Sequence, residues 1–93
     1  MSVFVVRGAR LAARKVGGEM VILSAEDSSL FVLNEVGTTI WEAADGRSSI
    51  EAIVDAVCLE YDVDPDTAQR DVEEFVQTLA AAGVLSTSDQ AVA

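Results

Sequence analysis

Leu30-Phe31-Val32-Leu33-Asn34-Glu35-Val36-Gly37 is the stretch on which the fold turns. Residues 30–33 are four consecutive apolar side chains, and such a run predicts a short strand. Asn34 then changes the period from two to about 3.6. Its side-chain oxygen can accept from the free amides of a first helical turn, and Val36, Ile40, Trp41 and Ala44 follow on one helical face. A strand passing directly into a capped helix is the expected architecture. Because strand side chains alternate between faces, an unbroken apolar run leaves both faces apolar. The helices that 93 residues can supply cover only one face, so something outside the sheet is expected to cover the other.

Upstream of this step, residues 9–33 read as a small antiparallel sheet. Strands are predicted at 11–15, 19–24 and 29–33, separated by a turn at Val16-Gly17-Gly18 and a polar turn at Ala25-Glu26-Asp27-Ser28. Residues 3–6 are predicted as an added edge strand. Downstream, three helices carry their own start and stop signals. The first runs from Asn34 to an Asp45-Gly46 turn. The second opens on the capping box Ser48-x-x-Glu51 and repeats Ile50, Ile53, Val54, Val57 and Tyr61. The third starts at Asp64-Pro65, where a proline at the first helical position loses no hydrogen bond, and ends at Gly83. Its apolar stripe is Ala68, Val72, Phe75, Val76 and Leu79. Residues 84–85 are predicted to return as a short strand and 86–93 to form a frayed tail. The fold class is therefore α+β: an N-terminal three-stranded antiparallel sheet followed by three helices, the composition of a winged helix-turn-helix. One domain spans 1–93, with its core at about 10–85.

Charge and chemistry narrow the function. Residues 1–18 carry Arg7, Arg10, Arg14 and Lys15 and no acid, whereas 19–93 carry all 16 acids against Arg47 and Arg70. A body at −14 repels phosphate backbones, so no nucleic-acid partner is expected and a basic peptide or protein fits better. The chain has no histidine, the commonest general base and metal ligand. Cys58, the single cysteine, sits in an apolar helical run and reads as a small core residue. The acidic run Glu60, Asp62, Asp64, Asp66 lacks the glycine and closing glutamate of a calcium loop and reads as a solvated turn. No catalytic residue, metal site or cofactor site is expected. With no apolar run of roughly 18 residues, no membrane span is expected either. The lone cysteine and the absence of a secretion signal favour a cytoplasmic setting.

Order and spacing carry a resemblance over about residues 10–85. The paired strands Met20-Val21-Ile22-Leu23 and Leu30-Phe31-Val32-Leu33 are followed by Leu33-Asn34-x-x-Gly37-x-x-Ile40-Trp41 and the Asp45-Gly46 turn. Ile50-x-x-Ile53-Val54, Tyr61 and Asp71-Val72-x-x-Phe75-Val76-x-x-Leu79-x-x-x-Gly83-Val84-Leu85 complete it. In this the sequence resembles the PqqD-like proteins, recognition elements for ribosomally made, post-translationally modified peptides. The resemblance implies a compact winged helix-turn-helix on which the leader segment of a precursor docks as an added strand. The leader would pair with Ser29, Leu30, Phe31, Val32, Leu33 and Asn34 and lie in the groove beside the helix beginning near Asp66. The domain would then present the precursor to a separate modifying enzyme, a radical S-adenosylmethionine protein, a peptidase or a cyclase, and catalyse nothing itself. Its 93-residue length leads us to expect a free-standing partner.

Physical chemistry supports the same edge, because an exposed strand offers unpaired backbone groups to an extended peptide. On the third helix two polar flanks are available, and we expect Asp71, Glu74 and Thr78 to line the groove with Phe75 as its floor. Plainer readings stand beside these. Phe75, Val72, Leu79 and Trp41 are core residues first, Asp71 could pair with Arg70 or Arg47, and a homodimer mate could cover 30–33 instead of a peptide. Two other functions compete. A winged-helix DNA-binding regulator would have to insert a third helix carrying Arg70 against Asp66, Asp71, Glu73 and Glu74. An acyl or peptidyl carrier domain would need a phosphopantetheine serine opening a helix, whereas Asp27-Ser28-Ser29-Leu30 precedes a strand.

Overall fold

Residues 3–89 are described in the computed structural model of the chain. The first strand, β1 (Phe4–Arg7), lies at the centre of one sheet, and the hairpin β2 (Leu11–Val16) and β3 (Glu19–Ser24) begins another. Strand β4 (Leu30–Leu33) completes the second sheet in the order β2-β3-β4, all antiparallel. This is the predicted three-stranded sheet. Gly17 and Gly18, at φ 58° and 87°, supply the paired left-handed turn that joins β2 to β3.

Helix α1 (Glu35–Ala43) follows at once, with Asn34 Oδ1 accepting from the Gly37 amide at 2.8 Å. It presents Ile40 and Trp41 to the core. The chain then departs from expectation. Asp45-Gly46 does not simply turn into the second helix; it opens strand β5 (Asp45–Ser49), which pairs antiparallel with β1. Helix α2 (Ile50–Glu60) is capped by Ser49, whose hydroxyl accepts from Ala52 N–H at 3.1 Å, one residue later than the capping box at Ser48. Ser48 is held in the preceding turn, its amide donating to Asp45 Oδ1 at 2.9 Å. Helix α3 (Pro65–Ala81) begins as predicted, Asp64 Oδ2 accepting from Asp66 and Thr67 with Pro65 in the first turn.

After Gly83 the chain forms β6 (Leu85–Ser88), antiparallel to β1, so the other sheet runs β5-β1-β6. The segment expected as an extra edge strand is thus the central strand of a second sheet, because Asp45–Ser49 and Leu85–Ser88 flank it on both sides. The return expected at 84–85 extends to Ser88, and residues 90–93 of the expected tail lie outside the described residues. One core joins both sheets to the helices: Val5 from β1, Ile22 and Leu33 from the second sheet, Ile40 and Trp41 from α1, Ile53 and Val57 from α2, Val72 and Val76 from α3. Each fully buried aliphatic side chain in it contributes about 1.5–3 kcal/mol. Cys58 is half-buried against that core rather than sealed inside it. No described helix is long and apolar enough to cross a membrane.

Candidate peptide-docking site

Strand β4 has one paired edge and one open edge. Hydrogen bonding to β3 is fixed at its start, where Ser24 N–H donates to Ser29 C=O at 2.9 Å. Antiparallel pairs alternate between bonded and non-bonded positions, so Ile22–Phe31 is the next bonded pair in the register, and at Met20–Leu33 the Thr38 hydroxyl bridges the Met20 N–H and the Leu33 C=O. The backbone groups of Leu30 and Val32 therefore point away from β3, to the open edge. Their side chains stand on the uncovered outer face, 64% and 58% exposed, beside Leu23 at 45%. Phe31 and Leu33 turn inward, Leu33 buried and Phe31 packed half-buried against the core. The expectation that the strand's second face lacks cover from this chain holds in the geometry.

The opposite margin of the same sheet differs in chemistry. Strand β2 also has a free edge, but it carries the exposed cations Arg14 and Lys15, Lys15 lying 3.5 Å from Glu42. Charged residues on an edge strand discourage pairing with another chain. On β4 all four residues are apolar, so its amides and carbonyls lack that protection.

A groove adjoins this edge at Asn34. It encloses about 450 Å3 and is lined by Asn34, Val36 and Ile40 on one side and by Asp71, Glu74, Phe75 and Thr78 on the other. Gly37 forms part of the wall because a side chain there would strike Phe75. The α3 flank expected from sequence thus lies at the groove, with the half-buried Phe75 within it. Asp71 pairs with neither Arg70 nor Arg47; the ion pairs among described residues are Arg10–Glu26 at 3.7 Å and Lys15–Glu42 at 3.5 Å. Asp71 and Glu74 therefore line the groove without an ion-pair partner among the described residues.

The ten expected site residues fall into three groups. Asn34, Asp71, Glu74, Phe75 and Thr78 come together in the groove. Leu30, Phe31, Val32 and Leu33 form the edge strand that leads into it and do not line the cavity themselves. Ser29 stands apart: its amide donates to Asp27 Oδ1 at 3.0 Å and its carbonyl accepts from Ser24, so both backbone groups are consumed by the hairpin turn. Sequence reasoning missed Val36, Gly37, Ile40 and Leu79 as lining residues. Gly37 had left a signal, since glycine in a first helical turn forfeits stability unless a close approach requires it. Asp27-Ser28-Ser29 lies in the turn before β4 and opens no helix, which removes the donor amides a carrier serine would need. Among the described residues no group of three or more His, Cys, Asp or Glu is placed to hold a metal ion.

Residues 19–85 match the family profile described as coenzyme PQQ synthesis protein D (PqqD). Among solved structures, TbiB1 in complex with the TbiA(beta) leader peptide is similar at a TM-score of 0.80 and 32% identity, covering 87% of this chain and 94% of that one. Lasso peptide synthetase B1 complexed with the leader peptide is similar in fold at a TM-score of 0.76 and 22% identity, covering 88% and 96% of the two chains. No curated protein sequence matches the chain. With the profile spanning β3, β4, β5, all three helices and the start of β6, this chain belongs to the PqqD family.

Proposed function

We propose that this chain is a non-catalytic recognition protein that binds the leader segment of a ribosomally made precursor peptide and delivers it to a separate modifying enzyme. The leader adds to β4 as a further antiparallel or parallel strand, bonding to the backbone of Leu30 and Val32. Its inward side chains enter the groove over Phe75, between α1 and α3. The observation that carries this reading is the uncharged, unpaired edge of β4 running into that groove, in a molecule whose other open edge in the same sheet is guarded by Arg14 and Lys15. The two similar solved structures, both leader complexes, support it. One of them is a lasso peptide synthetase B1, so a lasso-type precursor with its peptidase and cyclase is the first partner set to test, ahead of a radical S-adenosylmethionine system. An acidic α3, with Asp66, Asp71, Glu73 and Glu74 around Arg70, argues against insertion into a DNA groove.

The test is a calorimetric titration with the leader of a precursor encoded beside this chain. Saturable one-to-one binding at about micromolar Kd or tighter is expected. Absence of binding, with a self-associated dimer in sedimentation that buries β4, would assign the edge to a second copy instead.

A further inference from the structure

Helix α3 has a second flank. Opposite Asp71, Glu74 and Thr78 lie Asp66, Gln69 and Glu73, and with the start of α2 they enclose another groove of about 340 Å3. Its floor includes Ile50 and Val54, and its rim carries four carboxylates, Glu51, Asp55, Asp66 and Glu73. No Lys or Arg lines it, and none of the four carboxylates forms an ion pair with a described residue. Arg70 borders the adjoining surface beside Asp66 and Glu73 without pairing to either, so an apolar floor and a net acidic rim together favour one kind of occupant: a segment that inserts an aliphatic or aromatic side chain and sets Lys or Arg against the rim. A nucleic acid or an acidic segment is repelled by the same rim.

We propose that this groove docks a basic, apolar-anchored segment of the enzyme that receives the leader. The inference rests on the leader-binding reading above and adds where the enzyme sits. Because the two grooves occupy opposite flanks of one helix, leader and enzyme bind α3 at the same time without competing, and the leader is held one helix width from its processor.

The experiment compares wild type with Glu51→Lys/Glu73→Lys and with Gln69→Trp, which fills the groove without changing charge. For each, affinity is measured for the leader alone and then, with leader saturating, for the purified modifying enzyme encoded beside the precursor. Expected are an enzyme affinity about tenfold weaker in both variants, a shallower salt dependence in the charge reversal, and leader affinity within about twofold of wild type. Enzyme affinity unchanged in both variants, with leader binding intact, overturns the proposal and leaves leader recognition standing. Leader displaced from the wild type by enzyme, or leader affinity lost in both variants, also overturns it, since the grooves would then not be independent. A homodimer that the charge reversal dissolves would give the groove to a second copy, and a wild type that binds no leader overturns both readings.

Discussion

Gly37 and Phe75 are in contact across α1 and α3: a Cβ on Gly37 would stand 2.9 Å from Cε2 of the Phe75 ring. The first turn of α1 can pack on the groove aromatic only because that position has no side chain. Gly37→Ala pits two effects against each other. Alanine gains about 1 kcal/mol of helix propensity, and overpacking against Phe75, Leu33 and Asn34 costs about 1–3 kcal/mol. Global stability should therefore fall by no more than about 2 kcal/mol, while the displaced ring reshapes the groove. Leader affinity should drop by about tenfold, 1.4 kcal/mol, in a variant whose thermal unfolding remains cooperative. Unchanged affinity would show that Phe75 does not contact the leader.

Val32→Pro and Phe31→Pro separate the two edges of β4. The Val32 amide faces the open side, so proline there removes one donor from an incoming strand and none from the ladder. The fold should persist, and leader affinity should weaken by about 0.5–1.5 kcal/mol, the net worth of one hydrogen bond. Phe31 bonds to Ile22, so Phe31→Pro should lower stability sharply by breaking the ladder. Calorimetry and denaturant unfolding on both variants check the pair, and a larger stability loss for Val32→Pro than for Phe31→Pro would show that the edges are assigned the wrong way round.

Thr38 ties the end of β4 to α1. Its buried hydroxyl accepts from Met20 N–H at 3.0 Å and donates to Leu33 C=O at 3.3 Å, and Met20 and Leu33 are cross-strand partners. Thr38→Val keeps the volume and removes both bonds. A loss of about 1–3 kcal/mol is expected in urea unfolding, against less than about 0.5 kcal/mol for the exposed control Thr87→Val.

Two aspartates should titrate low. Backbone N–H groups hold both carboxylates charged: Arg47 and then Ser48 for Asp45, Ser29 for Asp27. A carboxyl depressed on folding stabilises the fold above the ordinary aspartate value of 3.8, and that contribution is lost as pH falls through the lowered folded value. Carboxyl chemical shifts followed by NMR should give midpoints for both below 3.8. A midpoint at or above it for Asp45 would mean that the turn opening β5 is not formed in solution.

Much of the fold is legible locally. The β2–β3 hairpin, the strand-to-helix step at Asn34, the Asp64-Pro65 start and the burial of Trp41 each depend on residues a few positions apart, where propensity and capping decide. The β5-β1-β6 sheet was not legible as a sheet. Asp45-Gly46-Arg47-Ser48-Ser49 has no apolar alternation, and it is a strand because β1, some forty residues upstream, supplies the partners. The shift of the α2 cap from Ser48 to Ser49 has the same origin, since Asp45 draws Ser48 into its turn. At the site, the periodicity of α3 gave its two polar flanks but no choice between them. The groove that takes in Asp71, Glu74 and Thr78 depends on how α1 packs on α3, where Gly37 lies against Phe75.

Amide hydrogen exchange with and without the leader tests the central claim most directly, because it reads the backbone donors of β4 one by one. Addition of leader should slow exchange at Leu30 and Val32 and leave the open-edge amides of Ala13 and Lys15 on β2 unchanged. Protection appearing on β2, or leader binding with Leu30 and Val32 exchanging as fast as in the free protein, would contradict strand addition at β4.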